Sequence, residues 1–145
     1  MTLQRMKTWA GCLGLACLFL MAAGCTKLKA RDDLNKGVSA YKAAKYPAAI
    51  ELFKSAIEQD PTLLNAKLYL ATAYANQYVP GSEQEDNIKY AEQAIAQFQE
   101  VLKEDANNLS SIQGIANLYF QMKQMSQAKD YYKKHPKEPY CQAVI

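Results

Sequence analysis

Along the middle of the chain, apolar side chains recur three and four positions apart. Leu34, Val38 and Tyr41 make one stripe, and Ala49, Leu52, Phe53, Ala56 and Ile57 make the next. That spacing follows the 3.6-residue turn of an α-helix and leaves the positions between polar, so each stretch predicts a one-sided helix. Pro47 stands where the second helix begins, a place where its missing amide costs nothing because first-turn amides lack an intrahelical acceptor. Asp60-Pro61 marks the stop. Further on, Pro80-Gly81 signals a turn, and Ser82 with Glu85 three residues later reads as a capping box. These signals predict one long helix from about Glu83 to Asp105, roughly 35 Å at 1.5 Å per residue, overhanging its partner.

The stripes repeat with a period near ~34 residues. Residues 30–63 carry Gly37, Tyr41, Tyr46, Ala49, Phe53, Ala56 and Pro61 at fixed offsets. Residues 64–108 return Leu70-Ala71, Tyr74, Ala94, Phe98 and Val101, with about 11 additional residues around Tyr78–Asn87 beyond the ~34 of one period. Residues 109–134 keep Ile115-Ala116, Tyr119, Ala128 and Tyr132. The pattern resembles the tetratricopeptide repeat (TPR). In that family a small residue near the middle of helix A, here Gly37, faces an Ala, aromatic, Ala series in helix B, here Ala49, Phe53 and Ala56. The resemblance covers about residues 30–134 and departs from the family at Ala106, where Pro is usual, and at His135-Pro136, which interrupts the third helix B. It implies an all-α fold, a right-handed superhelical stack of antiparallel helix pairs with a concave groove. A single pair cannot bury its apolar face, whereas three stacked pairs share one core. Residues 135–145 are expected to be irregular. Pro139–Ile145 reads like the opening turn of a further helix, so either the natural chain continues or this end docks on a partner or on a second copy.

The amino-terminal stretch follows another rule. Arg5 and Lys7 precede an uncharged run from Thr8 to Thr26, the n-region and h-region of a secretory signal. Met21-Ala22-Ala23-Gly24-Cys25 closes it and resembles the lipobox of bacterial lipoproteins, with Ala22 where Leu is commonest. The resemblance implies cleavage of residues 1–24 and acylation of Cys25, with 25–29 a lipidated linker. It also implies a lipid anchor in a bacterial envelope; Thr26 is not the Asp that retains many such proteins at the inner membrane, so an outer-membrane address facing the periplasm is favoured. An uncleaved spanning anchor and ordinary cleavage to a soluble protein are the alternatives. Removal of the segment would leave Cys141 as the one free thiol, too few for an internal disulfide.

Charge narrows the functional classes. The 17 basic and 14 acidic residues leave +3, of which Arg5 and Lys7 belong to the signal segment. A balance this even lacks the clustered cations that a nucleic-acid backbone requires. The single histidine, His135, has no cluster of Cys, His and carboxylate at metal spacing around it. Glu83, Glu85 and Asp86 do not follow the order of a calcium loop, and no phosphate-cradling glycine loop is present. The sequence therefore reads as a non-enzyme without cofactor or metal.

Resemblance to TPR domains places a partner-binding groove on the A helices. It maps to Arg31, Leu34, Val38, Tyr41 and Lys42 in the first copy. The second contributes Asn65, Leu68, Thr72, Ala75 and Asn76, and the third Ser110, Gln113, Asn117, Phe120 and Gln121. Amides at these places could pair with a peptide backbone, with Tyr41 and Phe120 as anchors. The cationic clamp that some such repeats use for chaperone tails is missing, its positions being Leu34, Val38, Tyr69, Ser110 and Gly114. The expected partner is thus a protein or peptide, with a self-associating subunit as the alternative.

Overall fold

The computed structural model describes residues 25–134, which form six helices and no strand. α1 is described over residues 25–42, followed by α2 (Tyr46–Gln59), α3 (Leu64–Gln77), α4 (Glu85–Glu104), α5 (Leu109–Gln121) and α6 (Met125–Lys134). From α2 to α6 each helix packs on the next, and α3 also meets α5. Side chains tie α1 to both α2 and α3, so α1, α3 and α5 make one layer and α2, α4 and α6 the other. The expected signal segment, the 135–145 tail and Cys141 lie outside the described residues.

The stretch 25–29, expected as a linker, is helical and continuous with α1. Thr26-Lys27-Leu28-Lys29 contains neither Gly nor Pro to break a helix, and the inward stripe already includes Ala30, which is fully buried. α4 spans Glu85–Glu104, about 30 Å at 1.5 Å per residue, so it starts two residues later than expected. The Ser82–Glu85 capping box does not form, because Gln84 occupies the cap position and caps without a side-chain hydrogen bond. The side chain of Asn87 organises the turn instead. Its Oδ1 accepts from the Val79 amide at 2.7 Å, and its Nδ2 donates to the carbonyls of Val79 and Ser82, each at 2.9 Å.

Turns repeat as faithfully as helices. After α1, the Ala44 amide donates to the Tyr41 carbonyl and the Lys45 amide to that of Ala40, with Ala44 at φ 56°. After α5, Lys123 and Gln124 donate to Phe120 and Tyr119 in the same pattern, with Lys123 at φ 59°. Both are Schellman-type stops, each held in the left-handed region without a glycine. Between repeats, Asp60 and Asp105 act alike: each amide donates back into the preceding helix, and each carboxylate accepts from the backbone amide two residues on. Asn108 then caps α5, accepting from the Ser111 amide at 3.1 Å.

Two phenylalanines fix how closely the helices approach. Phe53 is fully buried, and its ring occupies the space that a Cβ on Gly37 would need, within 2.5 Å. Phe98 stands in the same relation to Gly114, at 2.6 Å, joining the second repeat to the third. Tyr69 stacks on Phe53 with centroids 5.6 Å apart and meets the edge of Tyr41 at 6.1 Å. At the other end of the stack Tyr131 is half-buried and 6.3 Å from Tyr119.

A polar contact locks α1 to α2. The Asp33 carboxylate accepts from Gln59 Nε2 at 2.6 Å and from Ser55 Oγ at 2.8 Å. These two bonds, Gln59 first, hold the Asp33 carboxyl below its ordinary pKa. A carboxyl whose pKa is lower folded than unfolded adds stability above the unfolded value and loses it as the pH falls through the folded one. Denaturant unfolding should therefore show stability falling as the pH drops below the ordinary carboxyl value of 3.8, and falling less steeply in Asp33→Asn. Equal slopes in the two proteins would remove Asp33 as a source of acid sensitivity.

Candidate functional site

α3 and α5 lie side by side because α4 links them through a shared core, with Phe98 set against Gly114. Between them opens a groove of about 490 Å³. On the α3 side it is lined by Leu68, Tyr69, Thr72, Ala75 and Asn76, and on the α5 side by Ser110, Gln113, Gly114, Asn117, Leu118 and Gln121, with Phe98 as floor. Residues three and four apart on each helix share a face, and this periodicity puts the amides of both helices on one surface.

No lining residue carries a formal charge at neutral pH, and the one ionisable group is the Tyr69 phenol. The chemistry on offer is hydrogen bonding by amides and hydroxyls above an apolar floor. Thr72 already spends its hydroxyl within its own helix, donating to the Leu68 carbonyl at 2.8 Å. Among the described residues there is no cluster of His, Cys, Asp and Glu able to hold a metal, and no helix is long and apolar enough to cross a membrane.

The positions mapped onto the second and third repeats largely converge. Leu68, Thr72, Ala75, Asn76, Ser110, Gln113, Asn117 and Gln121 all line the groove. Asn65 does not, being exposed at the start of α3. Phe120 does not either: it is 56% exposed and lies off the lining, so it is no anchor for a segment held there. At about 100° per residue, Phe120 falls beside Gln113 but about 100° from Gln121, at the rim of the face that runs from Gln113 through Asn117 and Gln121 to Leu118, and so outside the lining.

The first repeat contributes differently. Leu34 and Val38 pack against the core, and Lys42 is exposed beyond it. Tyr41 accepts a hydrogen bond from Asn76 Nδ2 at 2.7 Å, so it orients a groove amide while lying outside the lining. Arg31 belongs to a separate depression with Cys25, Leu28, Lys29, Asp32 and Asn35. Cys25 is exposed and carries a free thiol. Tyr69 and Gly114 line the groove at places the chaperone clamp would use, whereas sequence reasoning missed Phe98 and Leu118 as lining residues. The available signal was the pairing of a small residue with a large ring, noticed at Gly37 and Phe53 but not carried across the boundary between repeats.

No protein-family model matches the chain, and no curated protein matches it. Solved structures do. The first TPR domain of Spaghetti (RPAP3) bound to the HSP90 peptide SRMEEVD aligns over 81% of this chain and 89% of that one, at 17% identity and a TM-score of 0.60. A mutant of MamA aligns over 74% of this chain and 71% of that one, at 23% identity and a TM-score of 0.60. The second TPR domain of human RPAP3, in complex with the HSP70 peptide SGPTIEEVD, aligns over 84% of this chain and 93% of that one, at 16% identity and a TM-score of 0.60. At these identities the likeness is one of fold: the chain is an all-α, TPR-like solenoid.

Proposed function

We propose that this chain is a lipid-anchored interaction scaffold of a bacterial cell envelope, held at Cys25 and taking an extended segment of a partner protein along the α3–α5 groove. The convergence of uncharged amides from two helices over an apolar floor carries this reading, since it suits a peptide main chain and offers nothing for catalysis. Two solved domains of similar fold hold the chaperone peptides SRMEEVD and SGPTIEEVD. Both peptides end in an acidic run, which calls for cations that this groove lacks, so a partner segment of different, uncharged character is favoured here. The anchor rests on the resemblance of residues 21–25 to a lipobox, and the address in view is the outer membrane, facing the periplasm.

Each half of the proposal has its own test. Protein extracted from membranes of an expressing bacterium should have lost Met1–Gly24 and gained acyl groups by intact mass, and Cys25→Ala should abolish both changes. An unmodified full-length mass would refute the anchor. For the groove, a photoreactive residue at Gln113 should cross-link one defined partner in cells, while the same residue at exposed Gln93 on α4 should not. Asn117→Asp puts a charge into the neutral lining and removes a donor, and should weaken that cross-link about tenfold with helical circular dichroism unchanged. Equal yields from positions 113 and 93 would count against the groove.

A further inference from the structure

We infer that the first two turns of α1 dock on the phospholipid headgroups of the bilayer holding Cys25, with Leu28 at the acyl-chain boundary and Lys27, Lys29 and Arg31 on headgroup phosphates. This rests on the anchored reading above and adds to it an orientation of the body. Three observations carry it. The chain is helical from Cys25 onward, so no flexible linker separates an acylated residue from the fold. Leu28, one turn on and beside Cys25 in the same depression, is 72% exposed, more than any other large hydrophobic among the described residues. An apolar side chain flanked by cations is the arrangement that suits a membrane interface.

Charge supplies the third. The acidic groups nearby are engaged within the protein. Asp32 pairs with Lys36 at 2.6 Å, Asp33 accepts from Ser55 and Gln59, and Asp60 accepts from Thr62. Lys27, Lys29 and Arg31 are exposed and make no ion pair with the described residues. Their field is reduced, because Lys29 also acts on Asp33, and Lys27 and Arg31 act on Asp60. The remaining attraction to a phosphate layer, at the usual strength per cation and after that offset, favours docking on the order of tenfold. An acyl anchor holds the protein at the bilayer in any orientation; a docked α1 selects one, and with it the direction in which the groove opens.

The test uses the full chain, exported and processed by an expressing bacterium, with Cys141→Ser and either Leu28→Cys or Ala43→Cys carrying a nitroxide. Ala43 is exposed at the far end of α1. The acylated proteins are reconstituted in vesicles of phosphatidylethanolamine and phosphatidylglycerol. Docking predicts that the label at position 28 is much less accessible to a water-soluble nickel relaxant than the label at position 43. It also predicts that Lys27→Gln, Lys29→Gln and Arg31→Gln together shift the docked fraction by on the order of tenfold toward the open value. Equal accessibility at the two positions, or no response to the triple substitution, would overturn the docking while an acylated mass leaves the anchor standing. A mass without acyl groups would end both readings.

Discussion

Phe53→Ala should lower the unfolding free energy by about 3–5 kcal/mol, because its ring is fully buried and the helices around it can only partly collapse into the space. For a domain whose total stability is expected at about 5–15 kcal/mol, that loss is a large share. The ring touches three elements at once, filling the gap left by Gly37 on α1, standing on α2 and stacking on Tyr69 of α3. The converse change tests the same contact from the other side. Gly37→Ala gains about 1 kcal/mol of helix propensity, yet the new methyl meets ring atoms at 2.5 and 2.7 Å. Overpacking of a fixed ring costs about 1–3 kcal/mol, so the net change should be destabilising. Combining Gly37→Ala with Phe53→Leu, which frees that space, should recover part of the loss, with a coupling of about 1 kcal/mol or more in urea titrations. Strictly additive effects would mean that the close approach is not what holds α1 to α2.

Much of this was legible in the sequence because the informative signals are local and periodic. The stripe at Ala49, Phe53 and Ala56 gave α2, and its echo at Ala94, Phe98 and Val101 gave the buried face of α4. The face periodicity of α3 and α5 also placed eight groove residues together. Signals that depend on a contact between distant segments were read less well. Asp60-Pro61 reads as the stop of α2, yet the turn recurs with Ala106 in the place of Pro61, since Asp60 and Asp105 provide the shared hydrogen bonds. Gly114 lines the groove because it faces Phe98, sixteen positions earlier and in another repeat, a relation no helical period displays. Phe120 stands at a family groove position, and a large exposed ring reads as an anchor until the neighbouring face is known. The linker expected at 25–29 rests on the lipobox resemblance alone, whereas the local sequence contains no breaker and continues into α1.

The capping box failed for a reason that leads to the second large effect. Ser82 and Glu85 have the right spacing to cap a helix, but the Ser82 amide that Glu85 would accept from already donates to the Val79 carbonyl, and the Ser82 carbonyl accepts from Asn87 Nδ2. Asn87 is 7% exposed and spends both ends of its amide on the insertion, accepting from the Val79 amide and donating to two carbonyls. Asn87→Ala removes all three bonds and should cost about 2–3 kcal/mol, less than the sum of three buried losses because Val79 is 59% exposed and water can replace part of the pairing. Asn87→Asp is the sharper probe. It is nearly the same size and keeps an acceptor for the Val79 amide, but it turns a carboxylate oxygen toward two carbonyl oxygens, so it should be at least as damaging at neutral pH. Protonation gives that carboxyl one donor, so the Asp variant should recover part of its loss on acidification while the Ala variant does not. Hydrogen exchange at the Val79 amide would report the local event, and urea titration the global one. If Asn87→Ala changes neither, the insertion is held by packing around Tyr78 and Ile88 rather than by this amide, and the start of α4 is fixed from within the helix.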